Sequence, residues 1–166
     1  MNTNYKIIDN FLPEDQFKYL QNIVLSENFP YYFIKSLNYN QKDVSEKSPF
    51  YFVHILYESY QILSGNFNDF KPILNKLSTK ALIRMKINLY PRTEKIVEHA
   101  FHSDQDFSHK GCILYFNTCD GYTLLEDGTK IDTIENRVLL FDSSKPHAST
   151  SCTDVKARVN VNINYL

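Results

Sequence analysis

Ala81-Leu82-Ile83-Arg84-Met85-Lys86-Ile87-Asn88-Leu89-Tyr90 alternates apolar and polar side chains. Successive side chains of a β-strand point to opposite faces. Ile83, Met85, Ile87 and Leu89 therefore share one face, and Arg84, Lys86, Asn88 and Tyr90 the other. Shorter runs at 96–101, 112–117, 122–125, 137–141 and 158–165 continue as strands. Glu126-Asp127-Gly128-Thr129 reads as a hairpin turn, because Asp-Gly tolerates positive φ. Many short strands separated by turns predict a sandwich or barrel, mainly β, with helices packed on it.

Upstream of residue 80 the pattern is mixed. Tyr5-Lys6-Ile7-Ile8-Asp9-Asn10-Phe11-Leu12 predicts a strand and turn. Pro13, Glu14 and Asp15 then open a helix: proline suits a first turn, and acids favour the positive end of the helix dipole. Phe17, Leu20, Ile23 and Val24 recur at helical spacing to about residue 27. Phe52-Val53-His54-Ile55-Leu56-Tyr57 is β-branched and aromatic, hence a strand, with His54 a satisfied core histidine. A second helix is predicted over 67–77, capped by Asn66 or Asn68. Between them, 28–50 is an aromatic segment (29–34) compatible with a strand, followed by a polar loop (36–48); the two either cover a substrate opening or merely connect.

The 166 residues predict one domain, with helices and supporting strands in 1–79 and the β core in 80–166. A formal net charge of -1 gives no general attraction to nucleic acid or anionic membrane. No basic-then-apolar leader and no long apolar span is visible. Cys112, Cys119 and Cys152 lack CxxC spacing, so free thiols are expected rather than a disulfide framework or zinc knuckle. A soluble, cytoplasmic protein follows as the expectation.

The chemistry gathers at His102-Ser103-Asp104. Residues i and i+2 of a strand share a face, so His102 and Asp104 reach one point while Ser103 turns away. His147, after Pro146 and the apolar run Val138-Leu139-Leu140-Phe141, supplies a second imidazole. Two imidazoles and a carboxylate form the facial triad that holds non-haem Fe(II) with open positions. Arg158 begins the last strand and shares a face with Asn160, Asn162 and Asn164, while Val159, Val161 and Ile163 pack the other way. An arginine in a pocket beside a metal takes a carboxylate bidentately; Tyr90 and Tyr115 can add hydroxyls. Competing assignments are a zinc site using His99 and His102, a salt bridge from Arg158 to Asp154, and plain packing of the tyrosines. His109 flanks the site without fitting the i, i+2 pattern. Arg84 and Lys86 are expected in solvent, with Asn160 and Asn162 either inward or at a sheet edge.

These residues together resemble the Fe(II)- and 2-oxoglutarate-dependent oxygenases, most closely their prolyl 4-hydroxylase-like branch. The resemblance spans 82–165 and includes Asn88-Leu89-Tyr90-Pro91, Ile113-Leu114-Tyr115-Phe116-Asn117 and the run from Phe141 to His147. It implies a double-stranded β-helix (jelly roll) with His102, Asp104 and His147 as catalytic iron ligands. It also implies Arg158, Tyr115 and Tyr90 on 2-oxoglutarate, with ascorbate as an optional further cofactor. The implied reaction hydroxylates a C–H bond of a peptide or small molecule and releases succinate and CO2. Asp104, a carboxylate where the halogenating relatives carry a small residue, favours hydroxylation. Asp120-Gly121 replaces a Gly-Gly pair of many relatives. Asn164 stands where the nucleic-acid demethylating branch has a second arginine, which argues against a nucleic-acid substrate. Oligomeric state stays open. The alternatives are a non-catalytic, metal-keeping binding or structural module of the same fold and a zinc hydrolase.

Overall fold

A computed structural model describes residues 5–35 and 49–166; the polar loop expected over 36–48 lies outside the described residues, as do residues 1–4. In chain order the elements are β1 (Tyr5–Ile8), α1 (Glu14–Val24), β2 (Tyr32–Ile34), β3 (Tyr51–Glu58) and β4 (Gln61–Ile62). A 3-10 turn (Gly65–Phe70), α2 (Lys71–Leu77), β5 (Leu82–Pro91), β6 (Lys110–Tyr115) and β7 (Cys119–Leu125) follow. The chain ends with β8 (Lys130–Thr133), β9 (Val138–Asp142), β10 (His147–Ser149) and β11 (Ala157–Tyr165).

The strands form two antiparallel sheets, one ordered β1-β9-β6-β11-β5-β3-β2 with β4 beside β3, the other β10-β7-β8. This is a mainly β jelly roll with two short helices on its flank. The large sheet separates two interiors. On one face Met85, Ile87, Leu114, Val159, Val161 and Ile163 meet Phe17, Leu20 and Val24 of α1 and Ile73 of α2 in one apolar core. On the other, Ile113, Tyr115, Leu139 and Phe141 pack against Leu125 and Ile131 of the small sheet. The alternation of β5 and β11 is therefore real on both sides. What looked like a water-facing polar stripe faces the small sheet.

Local chemistry accounts for the element ends. α1 begins after Pro13, with Glu14 and Asp15 in its first turn and no side-chain cap. The second helix differs from the expectation: Ser64, not Asn66 or Asn68, caps it by accepting the Asn66 N–H at 3.1 Å. It starts as a 3-10 turn and becomes α-helical at Lys71-Pro72, where proline needs no hydrogen-bond acceptor. The Asp127-Gly128 turn joins β7 to β8, with Gly128 at φ 85°. The strand expected over 96–101 is absent. Only two isolated bridges form there, Glu98 to Thr150 and His102 to His147. Four steps on one side span three on the other, so an extra residue breaks the ladder. The three cysteines are buried and free. No helix among the described residues is long and apolar enough to cross a membrane.

Candidate metal centre

The polar faces of β5 and β11 lie side by side as a ladder. Arg158 pairs with Tyr90, Asn160 with Asn88, Asn162 with Lys86 and Asn164 with Arg84. Above one end of this floor the backbone bridge between His102 and His147 closes, N–H to carbonyl in both directions at 3.0 and 2.9 Å. The Asp104 N–H donates to the Ser143 carbonyl at 3.0 Å. The HxD segment is thus held without being a regular strand.

His102, Asp104 and His147 each offer a donor atom within 4.8 Å of the others. His102 Nε2 lies 4.0 Å from Asp104 Oδ1, and His147 Nε2 3.7 Å from Oδ2. Backbone carbonyls orient the remote nitrogens: Lys145 O is 3.0 Å from His147 Nδ1 and Ala100 O is 3.4 Å from His102 Nδ1. With each Nδ1–H so directed, the bare Nε2 faces the carboxylate, as a metal-ligating imidazole requires. Burial, followed by the nearby His147, lowers His102 to about 4, so its ring is neutral at pH 7. Burial works against ionisation of Asp104, but Arg84, His147 and Lys86 outweigh it and hold the carboxyl well below the usual range. Two imidazole nitrogens and an ionised carboxylate fit a divalent first-row metal.

Asp104 is itself clasped. Oδ1 accepts from Arg84 Nη2 at 2.5 Å, and Oδ2 from Asn164 and Asn162 at 2.9 and 3.2 Å. Asn164 also donates to Ser143 Oγ at 3.0 Å, which lies 2.7 Å from His109 Nε2. The expectation that Arg84 is solvated is therefore wrong: it is 9 % exposed and bound to the candidate ligand. Lys86, likewise expected in solvent, lines the cavity between the sheets. Burial and the neighbouring Arg84 lower it to about 8. Asn160 and Asn162 face inward and line the same cavity.

Arg158 lies at the other end of the ladder and is 0 % exposed. Its guanidinium donates to Thr133 Oγ1 at 2.7 Å, Thr123 Oγ1 at 2.9 Å and the Thr150 carbonyl at 3.3 Å. The rings of Tyr115 and Tyr90 sit 5.4 and 5.6 Å from it. Three of its five N–H donors thus meet neutral oxygens, and among the described residues no carboxylate pairs with it. The salt bridge to Asp154 does not form; that carboxylate accepts from the Asp120 N–H at 3.1 and 3.2 Å instead. Burial raises both phenols; for Tyr90 a hydrogen bond with Ser149 and the Arg158 charge oppose it, for Tyr115 chiefly the Arg158 charge. The Tyr115 hydroxyl meets Thr123 Oγ1 at 2.8 Å.

A narrow cavity of about 30 Å³, partly open to solvent, joins both ends. His102, His147, Arg158 and Tyr90 all line it. His99 does not join the metal-ligating group: its Nδ1 meets Ser149 Oγ at 2.8 Å and its ring lies 5.4 Å from that of Tyr90. That removes the geometric basis of the His99–His102 zinc site. Thr123, Thr133 and Thr150 had no signal in the sequence, since single threonines on short strands acquire meaning only where the small sheet brings them together.

No protein-family model and no curated protein sequence matches the chain. Solved structures do. A prolyl hydroxylase from Trichoplax adhaerens, in complex with a hypoxia inducible factor oxygen degradation domain peptide fragment, superposes with TM-score 0.70 at 18% identity over 99% of this chain and 84% of that one. The viral collagen prolyl hydroxylase of Paramecium Bursaria Chlorella virus-1, in its 2OG complex, gives 0.59 at 16% over 98% and 96%. An oxidoreductase of the 2OG-Fe(II) oxygenase family from Burkholderia pseudomallei gives 0.72 at 8% over 99% and 85%. At these identities the likeness is one of fold: the chain has the fold of the 2OG-Fe(II) oxygenases, prolyl hydroxylases among them.

Proposed function

We propose that this chain is an Fe(II)- and 2-oxoglutarate-dependent dioxygenase that hydroxylates a C–H bond, converting 2-oxoglutarate and O2 to succinate and CO2. The observation that carries it is Arg158, a fully buried cation at the head of a cavity whose other end holds two imidazoles and a carboxylate. Leaving a buried charge unpaired is costly, so the site asks for an anion. A metal-keeping structural module or a zinc hydrolase has no use for that guanidinium.

His102, Asp104 and His147 would hold Fe(II) through Nε2, a carboxylate oxygen and Nε2. The metal, once bound with 2-oxoglutarate and O2, supplies the oxidising chemistry. Arg158 would take the distal carboxylate of 2-oxoglutarate, with the Tyr115 and Tyr90 hydroxyls beside it. The threonines that receive the remaining guanidinium N–H groups fix its plane before any ligand arrives. Ile113, beside Asn162 on the neighbouring strand β6, lines the cavity and limits water. The substrate is a small molecule or a peptidyl side chain; Asn164, spent on Asp104, argues against nucleic acid. Strands from both halves of 1–166 share the large sheet, which supports a single domain.

The test is an anaerobic titration of 2-oxoglutarate into Fe(II)-loaded protein, followed by visible absorption. A metal-to-ligand charge-transfer band is expected, lost in His147→Ala. Arg158→Met should weaken 2-oxoglutarate binding by roughly 100-fold, the loss of a charged hydrogen-bonded pair, while metal binding persists. Bound metal with no band returns the chain to a metal-keeping binding module.

A further inference from the structure

Three cationic side chains surround the site, Arg84, Lys86 and Arg158, against a single clasped carboxylate, Asp104, among the described residues. Arg84 is spent on Asp104. Arg158 is spent on three neutral oxygens and, in the reading above, on 2-oxoglutarate. Lys86 makes no hydrogen bond or ion pair within the described residues. Its ammonium lies 5.9 Å from the Tyr51 ring, and Asp104 and Glu58 reach it only through longer-range attraction. A divalent metal at the triad adds two more positive charges, so even a bound 2-oxoglutarate dianion leaves the cavity with excess positive charge.

Two residues along the same face stands Asn88, 2 % exposed. Its Nδ2 donates to Asn160 Oδ1 at 3.1 Å, and its Oδ1 has no donor. 2-Oxoglutarate cannot meet these demands. One carboxylate goes to Arg158 and the other to the metal, and at neutral pH it carries no N–H or O–H group. The cavity therefore retains an ammonium that seeks an anion and an amide oxygen that seeks a donor. Residues i and i+2 of a strand lie about 7 Å apart. A carboxylate and an adjacent amino or hydroxyl group span such a gap when each makes a hydrogen bond of about 2.8 Å.

We propose that Lys86 and the Asn88–Asn160 amide pair seat the polar end of the substrate, and that this substrate is a small amino or hydroxy acid rather than a polypeptide segment. The assignment rests on 2-oxoglutarate occupying Arg158. Lys86 takes the substrate carboxylate, and the amide oxygen takes the neighbouring N–H or O–H. A residue within a polypeptide has no free carboxylate next to its amide nitrogen, so the pair also discriminates against one.

The experiment is anaerobic calorimetry on Mn(II)- and 2-oxoglutarate-loaded protein. The protein amino acids and simple 2-hydroxy acids are titrated, each against its primary amide. At least one acid should bind, with its amide weaker by roughly tenfold or more. Lys86→Met and Lys86→Gln should lose that preference and Lys86→Arg keep it, all three holding 2-oxoglutarate within roughly twofold of the parent. The proposal is overturned if no acid outbinds its amide. It is equally overturned if Lys86→Met weakens 2-oxoglutarate as much as Arg158→Met does, since Lys86 then serves the co-substrate. Undiminished 2-oxoglutarate affinity in Arg158→Met overturns the parent reading, and this one with it, by a separate readout.

Discussion

A β-carbon on Gly121 would lie 2.8 Å from Cδ of Arg158 and 2.5 Å from the Ser151 carbonyl oxygen, so this position in β7 admits only glycine if the guanidinium is to lie where it does. Asp120-Gly121 thus keeps the one glycine that the buried arginine needs. Gly121→Ala should push the Arg158 stem off its threonine acceptors. We expect 2-oxoglutarate affinity to fall by roughly tenfold or more and stability by about 1–3 kcal/mol, the usual cost of overpacking. Calorimetry and urea unfolding read the two effects separately. Undiminished 2-oxoglutarate affinity in a folded Gly121→Ala protein would remove Arg158 as the anchor.

Asn164 acts at the opposite end of the ladder. Its single Nδ2 donates both to Asp104 Oδ2 and to Ser143 Oγ, tying the candidate ligand to the segment before His147. Asn164→Leu should leave the fold and the Arg158 anchor intact while metal affinity drops by about 10–100-fold, the range for outer partners of metal ligands. Competition between the protein and a chelator for Mn(II) measures it. Unaltered metal affinity would show that Arg84 and Asn162 orient the carboxylate without it.

The legibility of this chain in its sequence depends on where polarity faces. β5 and β11 are long, strictly alternating and apolar on one side, so both their existence and their facing were readable. The same alternation misplaced Arg84 and Lys86, because a polar stripe looks identical whether it meets water or a second sheet. His102 and Asp104 were readable as a pair, but the strand assigned to them was not there; an extra residue opposite β10 breaks its ladder. β8 and β10, of 4 and 3 residues, carry too little pattern to stand out, although they supply Thr133 and His147.

His54 links pH to stability away from the metal centre. Its Nδ1 meets the Pro30 carbonyl at 2.8 Å, and its Nε2 meets Ser64 Oγ at 2.7 Å. Ser64 Oγ already accepts the Asn66 N–H, so its own hydrogen is available to the neutral imidazole. Burial lowers the His54 pKa below 6.5, only partly offset by the Pro30 carbonyl. Below pH 6.5 the unfolded chain therefore binds a proton that the folded chain resists, and stability falls as pH falls through that range. His54→Gln should flatten this part of the stability profile in urea melts from pH 7 to 5. An unchanged slope would assign the acid sensitivity to another group.

Asn136 ties the N-terminal segment to the turn between β8 and β9. Its Oδ1 accepts the Leu12 N–H and its Nδ2 donates to the Leu12 carbonyl, both at 2.9 Å, while its own N–H reaches the Tyr115 carbonyl at 3.0 Å. It does so at φ 58°, where asparagine is tolerated and most residues are not. Two terms therefore separate by substitution. Asn136→Gly keeps the backbone conformation but loses two buried side-chain hydrogen bonds, at about 1 kcal/mol each. Asn136→Ala loses the same bonds and adds the cost of a left-handed residue, about 1 kcal/mol more. Urea unfolding should thus rank the natural protein above Asn136→Gly, and Asn136→Gly above Asn136→Ala. Metal affinity should stay unchanged in both, because the clamp acts on the far side of the large sheet from the triad. Equal stability of the two variants would mean that the turn relaxes out of the left-handed region once the asparagine is gone.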